Sequence, residues 1–146
     1  TVADESGPRL FTPEMELVMP DLLVWKNGTT FWIEAKTKGH FTWYRQNGTW
    51  QTGIDRHHYD DYLQVWRNFD KSWEVWLLFL HETATPSVAD QQAGCPPRCP
   101  VGLFGNRISF LQNHIDHFGP RWGRHGMVYW RLEDLQLLAS LEDIAA

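Results

Sequence analysis

A chain of 146 residues, 42% hydrophobic and 21% charged, has the size and composition of one folded domain, which excludes a disordered or fibrous polymer. The longest apolar run, Val75 to Leu80, falls far short of the roughly 20 residues that cross a bilayer, so no membrane helix is expected. A formal net charge of -5 argues against a passive, sequence-indifferent DNA binder, which would be basic.

The chain opens on Thr1 rather than Met, consistent with a start that has been trimmed, processed or left out of the numbering. Residues 1–9, with Gly7 and Pro8, read as a loose lead-in, and Leu10–Thr12 and Glu16–Met19 as short edge strands. Asp21–Trp25 and Thr30–Ala35 are stronger strands, rich in β-branched and aromatic residues, separated by Lys26-Asn27-Gly28-Thr29. Asn-Gly between apolar runs is a hairpin signal because both residues tolerate positive φ. A second hairpin, Phe41–Arg45 with Thr49–Thr52, turns on Asn47-Gly48. Tyr59, Tyr62, Leu63, Trp66 and Phe69 recur at three- and four-residue steps, predicting an amphipathic helix over 57–69. Trp73–Leu80 is expected as a strand covered on both faces. Residues 82–102 read as an excursion, Leu103–Leu111 as a strand or short helix, Met127–Leu132 as a strand and Leu132–Leu141 as a closing helix. No internal repeat interrupts this order. Most of the nine tryptophans are assigned to packing.

The stretch that carries chemistry is Met19-Pro20-Asp21-Leu22-Leu23-Val24, the Asn-Gly turn, then Phe31-Trp32-Ile33-Glu34-Ala35-Lys36. Across a tight antiparallel hairpin, Asp21 at the start of one strand and Glu34 at the end of the other arrive at the same end. Strand alternation points Lys36 to the same face as Glu34. Two acids and a lysine at the edge of an apolar hairpin suit phosphodiester hydrolysis: carboxylate oxygens bind Mg²⁺, the metal activates water and offsets charge, and the lysine positions that water.

Pro20-Asp21, twelve intervening residues and Glu34-Ala35-Lys36 resemble the PD-(D/E)XK nuclease superfamily, over roughly Glu16 to Leu80. The resemblance implies an α/β fold, a central mixed β-sheet flanked by helices, with a restriction-endonuclease-like αβββαβ core. It also implies metal ligation by Asp21, Glu34 and the Ala35 carbonyl, with Lys36 beside the nucleophilic water. The family's leading helix is expected to be short or missing here, leaving Glu5, Glu14 or Glu16 to stand in for its acidic residue. The expected organisation is a single nuclease-like domain over 1–146, with a core at about 16–80 and a loop-rich insertion at 82–126 open to stabilisation by zinc.

Outside the trio, alternatives stay open. Some relatives carry Gln-x-x-x-Tyr on the helix after the lysine; here His58-x-x-x-Tyr62 stands at that place, behind His57. His57, His58 and Tyr62 either touch phosphate or water, or are solvated histidines beside a core tyrosine. Lys38, Trp43, Arg45 and Arg56 either grip nucleic acid or belong to a covering flap. Cys95 and Cys99, followed by His114 and His117, give C-x₃-C, fourteen residues, H-x₂-H, which approaches zinc-finger spacing; a disulfide and free thiols are the alternatives. Arg121, Arg124 and His125 lie in a Gly-rich stretch that reads as a basic phosphate loop or a plain connector.

The sequence therefore leads to a Mg²⁺- or Mn²⁺-dependent deoxyribonuclease, cytoplasmic or acting in the host cytoplasm if phage-encoded, with DNA as partner and a homodimer admissible. It would serve DNA repair, recombination, restriction or phage DNA processing. The alternatives are a non-catalytic nucleic-acid- or protein-binding module on the same fold, and a zinc-binding regulator built on the Cys/His cluster. The acidic residues gather in the segments before Trp25 and after Arg131, so what lies between is mildly basic and a polyanionic substrate is not excluded.

Overall fold

A computed structural model describes residues 9–11, 16–69, 72–120 and 125–145. Asn27 and Gly28 adopt φ of 52° and 76°, the left-handed pair a tight hairpin turn requires, and they join β3 (Leu22–Lys26) to β4 (Thr29–Lys38). The register runs from Lys26↔Thr29 to Leu22↔Ile33, which puts Asp21 level with Glu34. β4 continues past the end of β3, so from Glu34 onward it has β7 on one side and no β3 on the other.

The chain then leaves this sheet for a hairpin, β5 (Thr42–Tyr44) and β6 (Thr49–Asp55), and enters α1 (Arg56–Asn68). Asp55 caps α1, its Oδ1 accepting the His57 N–H at 2.9 Å. The helix returns the chain to β7 (Glu74–His81), which runs parallel to β4 with Glu34↔Leu77 and Lys38↔His81 in register. This is the strand–helix–strand crossover that parallel pairing demands. In β7, Val75, Leu77, Phe79 and His81 are buried on one face while Glu74, Trp76, Leu78 and Leu80 are half-covered on the other.

Residues 82–126 hold more than loops. They supply α2 (Val88–Gln92), β8 (Gly102–Arg107), α3 (Ile108–Leu111) and β9 (His117–Gly119). The Leu103–Leu111 segment is thus a strand and then a helix. β10 (Met127–Arg131) follows as expected, but the closing helix over Leu132–Leu141 does not form. A 3-10 turn at Leu132–Asp134 leads instead into β11 (Gln136–Ala139), which pairs antiparallel with β8 and leaves only α4 (Leu141–Ala145) helical. Among the described residues the β8 edge has no other strand to bond, and that demand outweighs local helix preference.

The result is an α/β fold with a mixed five-stranded sheet, in the order β11-β8-β7-β4-β3, and a four-stranded sheet, β5-β6-β10-β9. The two early strands, β1 (Arg9–Phe11) and β2 (Glu16–Val18), pair with each other as a separate hairpin, and no helix precedes β3 among the described residues. The main core joins Trp32, Tyr59, Tyr62, Val65, Leu77 and Phe79 to Ile54, Val128 and Trp130 of the second sheet. A smaller cluster gathers Phe41, Trp50, Cys99 and Phe104. Gly53 lets the second sheet close: a Cβ there would overlap the Val128 carbonyl oxygen and approach the Tyr129 ring at 2.8 Å. No described helix is long and apolar enough to cross a membrane.

His81 ties the two sheets together. Its ring stacks on Phe41 at 3.7 Å and its Nε2 stands 3.0 Å from Thr52 Oγ1 on β6. Burial, with Lys38 and His40 nearby, pushes its pKa down to about 4 from an ordinary 6.5. A group neutral in the fold but free to protonate when unfolded leaves stability intact above pH 6.5 and removes it as pH falls toward 4. The expected loss over that window is about 3 kcal/mol. Denaturant titrations of the wild type and of His81→Gln check this: the variant should lose clearly less stability on acidification.

Candidate functional site

Asp21, Glu34 and Lys36 meet. The Asp21 backbone N–H donates to Glu34 Oε2 at 3.0 Å, closing the open end of the β3–β4 hairpin. Lys36 Nζ stands 2.9 Å from Glu34 Oε1, an ion pair across the strand repeat without the angle of a well-directed hydrogen bond. Glu34 is 1% exposed, while Asp21 and Lys36 are half-buried at the mouth. Burial pushes the Glu34 carboxyl above its ordinary range, and the Asp21 charge adds to this. The Lys36 ammonium opposes the shift without cancelling it.

α1 closes the site from above. Tyr62 is wholly buried, with its ring 5.9 Å from Lys36 Nζ. Its hydroxyl forms no well-directed hydrogen bond, yet burial first and then the Glu34 charge hold its pKa far above the usual phenol range. His58 lies one turn earlier on the same helix, 6.2 Å from the Tyr62 ring. Burial and then the Lys36 charge push its pKa down, so the imidazole stands neutral beside the lysine. His57 points elsewhere: it is exposed, 5.1 Å from the His125 ring and 3.9 Å from Asp61 Oδ2.

Lys38 continues the row. Trp32, Glu34, Lys36 and Lys38 occupy alternate positions of β4 and so share one face. Burial, and then the Lys36 charge, lower the Lys38 pKa. The other residues proposed to grip nucleic acid scatter. Trp43 packs edge-on against Trp50 at 5.0 Å, and its backbone N–H bonds Asp90 Oδ2 at 3.1 Å, so it belongs to a covering flap. Arg45 is exposed beyond β5, and the Arg56 guanidinium sits 4.2 Å over the Phe118 ring. Glu5, Glu14, Arg121 and Arg124 lie outside the described residues, and Glu16 lies on β2.

Cys95, Cys99, His114 and His117 do not gather. Both cysteines are free thiols, and Cys99 Sγ lies 3.9 Å from the Phe41 carbonyl oxygen. His114 stacks on Phe110 at 3.8 Å, with its Nδ1 2.8 Å from the Phe110 carbonyl. His117 is clamped between Tyr44 and Tyr129 at 4.4 and 4.8 Å, its Nδ1 2.6 Å from Asp116 Oδ2. Asp116 also accepts from Gln51, Asn47 and Arg131. These donors outweigh the burial that would otherwise raise its carboxyl, and hold it low. That network braces the second sheet, and no sequence spacing pointed to it. His81 was also missed, although an ionisable residue ending an apolar run in the strand beside β4 was a readable signal.

The donor set at the trio fits a hard divalent cation. Among the described residues no three or more His, Cys, Asp or Glu side chains gather to hold a metal, and the ligands they offer here are two carboxylates and a backbone oxygen. Mg²⁺ is ordinarily held that way. Glu34 Oε1 is buried without a directed hydrogen bond, and Ala35 lies in the part of β4 that β3 leaves uncovered. No family model matches the chain, and no curated protein matches it either.

Because the Glu34 pKa is raised in the fold, its contribution to stability is full below the ordinary carboxyl value and is lost as pH rises through the raised one. Glu34→Gln, which mimics the protonated form, is therefore expected to melt no lower than wild type at neutral pH in chelator. The difference should grow in the variant's favour as the pH is raised from the ordinary carboxyl value upward. Thermal melts across that range test it; a variant uniformly less stable would mean that the Lys36 pair outweighs burial.

Proposed function

We infer that the chain is a divalent-metal-dependent nuclease of the PD-(D/E)XK kind, hydrolysing phosphodiester bonds, with DNA as the favoured substrate. The observation that carries this is the buried Glu34 carboxylate, bridged on one oxygen by the Asp21 backbone and paired on the other with Lys36. A structural ion pair would not require the acid to be 1% exposed beside a second carboxylate at the open end of a hairpin. Perturbed, desolvated acids paired with a specific cation mark functional sites.

Asp21, Glu34 and the Ala35 carbonyl are the groups that would hold Mg²⁺ or Mn²⁺, and the bound metal would supply Lewis acidity and a water of lowered pKa. The chain's own residues do the rest. Lys36 Nζ, held at Glu34 Oε1, aims its remaining N–H donors at the attacking water and at the phosphoryl oxygens that gain charge. Tyr62, wholly buried with its hydroxyl unspent, shuts solvent from the inner side of the Glu34 carboxylate. His58, neutral beside Lys36, can hold a water by hydrogen bond without adding charge. Attack by water forms one P–O bond and breaks the P–O ester bond opposite it; the water gives up a proton to solvent, and the departing oxygen takes one from solvent at the half-open mouth.

The sheet order supports the same reading at the level of the fold. A hairpin followed by a crossover helix and a parallel neighbour is what such a site needs: Asp21 stands just before β3, Glu34 lies on β4, and Tyr62 of α1 packs over Lys36. The test is cleavage of single- and double-stranded DNA by the purified chain. Activity should need Mg²⁺ or Mn²⁺, stop with chelator, fall about a hundredfold or more in Lys36→Ala, and vanish in Glu34→Ala. A chain that binds DNA but cuts none, with Lys36→Ala indistinguishable from wild type, would be a binding module and would end this reading.

A further inference from the structure

Lys38 is a half-buried cation without an anion. Among the described residues no carboxylate pairs with it, and the one charge that acts on it is that of Lys36, a like charge. Leaving an ammonium desolvated next to another cation is unfavourable, and a fold gains nothing from it unless an external anion completes the site. Lys36 already has its partner in Glu34 at 2.9 Å; Lys38 is the cation left over.

Its place is specific. Along β4, Glu34, Lys36 and Lys38 step up one face at about 6.6 Å per pair of residues. That step is comparable with the distance between successive phosphates along one nucleic-acid strand. α1 runs the opposite way, with Phe69 against Trp32, then Tyr62 and His58 against Lys36. Lys38 therefore lies a step beyond His58, toward the amino end of α1, where the cap carboxylate of Asp55 takes the His57 N–H and the first turn adds no further acid. Resting on the nuclease reading of the trio, we propose that Lys38 binds the phosphate adjacent to the one that is cut, so that the site grips two consecutive phosphates of one strand.

The experiment uses the whole chain and a fluorescent single-stranded oligothymidylate of about ten nucleotides, bound in chelator at several salt concentrations. Lys38→Met keeps the buried methylenes and removes the charge; Lys38→Arg keeps the charge. The expected result is binding about tenfold weaker in Lys38→Met, a salt slope shallower by about 1, and recovery in Lys38→Arg. The melting temperature of Lys38→Met should equal or exceed that of wild type, which a purely structural lysine would not show. In a second arm, cut positions are mapped on the unmodified oligonucleotide, and one neighbouring linkage at a time is replaced by a neutral methylphosphonate. Wild type should lose about tenfold in kcat/KM at one neighbouring position, and Lys38→Met should lose nothing further there. If wild type cuts but Lys38→Met binds and discriminates as wild type does, the Lys38 assignment falls alone. If wild type binds and cuts nothing, the nuclease reading falls and takes this one with it.

Discussion

A carboxylate cannot be buried in a sheet unless its two oxygens are answered, and the rest of this molecule is arranged around answering those of Glu34. One oxygen takes the Asp21 N–H and the other faces Lys36. The first answer depends on hairpin register, because a slip of one residue would move the Asp21 N–H out of line with Glu34, while the second needs only the strand alternation that puts Lys36 on the face of Glu34. The register in turn depends on Asn27 and Gly28 accepting positive φ. Removing a single partner from a buried charge typically costs about 3–5 kcal/mol. Turn, register and site are therefore one constraint, felt at three scales.

That constraint explains why α1 sits where it does. Glu34 shares its face of the sheet with Leu77 and Phe79, so it borders the main core rather than solvent. Tyr62 fills the boundary with a ring that can pack against leucines and a hydroxyl that can meet a carboxylate. The second sheet completes the enclosure from the far end. Its inner face supplies Ile54, Val128 and Trp130 to the core, and its Thr52 holds His81 beside the end of β4. The flap residues Trp43 and Trp50 are spent on that closure rather than on ligand.

The hairpin, α1 and β7 were legible because each carries its own local signal: an Asn-Gly turn, a three-and-four period, a run of large apolar residues. The trio was legible because two simple rules, antiparallel return and strand alternation, converge on one point. The failures share a different cause. β8 reads as Gly-Leu-Phe-Gly-Asn-Arg, whose two glycines leave strand and short helix undecided, yet a Cβ at Gly105 would lie 2.5 Å from the Leu77 carbonyl oxygen. Its contact with β7 demands the residue that blurs the strand signal. The Gln-Leu-Leu-Ala of β11 favours a helix locally and becomes a strand only because β8 offers it an edge. His117 matched a zinc spacing, but its ring is held by Tyr44 and Tyr129, neighbours that only the second sheet brings together.

Net charge is the remaining difficulty for a chain that would bind a polyanion, and the topology answers it. Glu133, Asp134, Glu142 and Asp143 flank β11, at one edge of the five-stranded sheet. Lys36 and Lys38 lie on β4, three strands away and near the opposite edge. At about 4.8 Å per strand that separation is about 14 Å, beyond the roughly 8 Å over which physiological salt leaves exposed charges visible to one another. These four acids are thus screened from the face that would meet phosphate. Asp21 and the end of β4 bring together two carboxylates suited to a cation and two lysines, of which Lys36 is already paired. A divalent ion on the two carboxylates would leave these four side chains net positive whatever the sign of the whole.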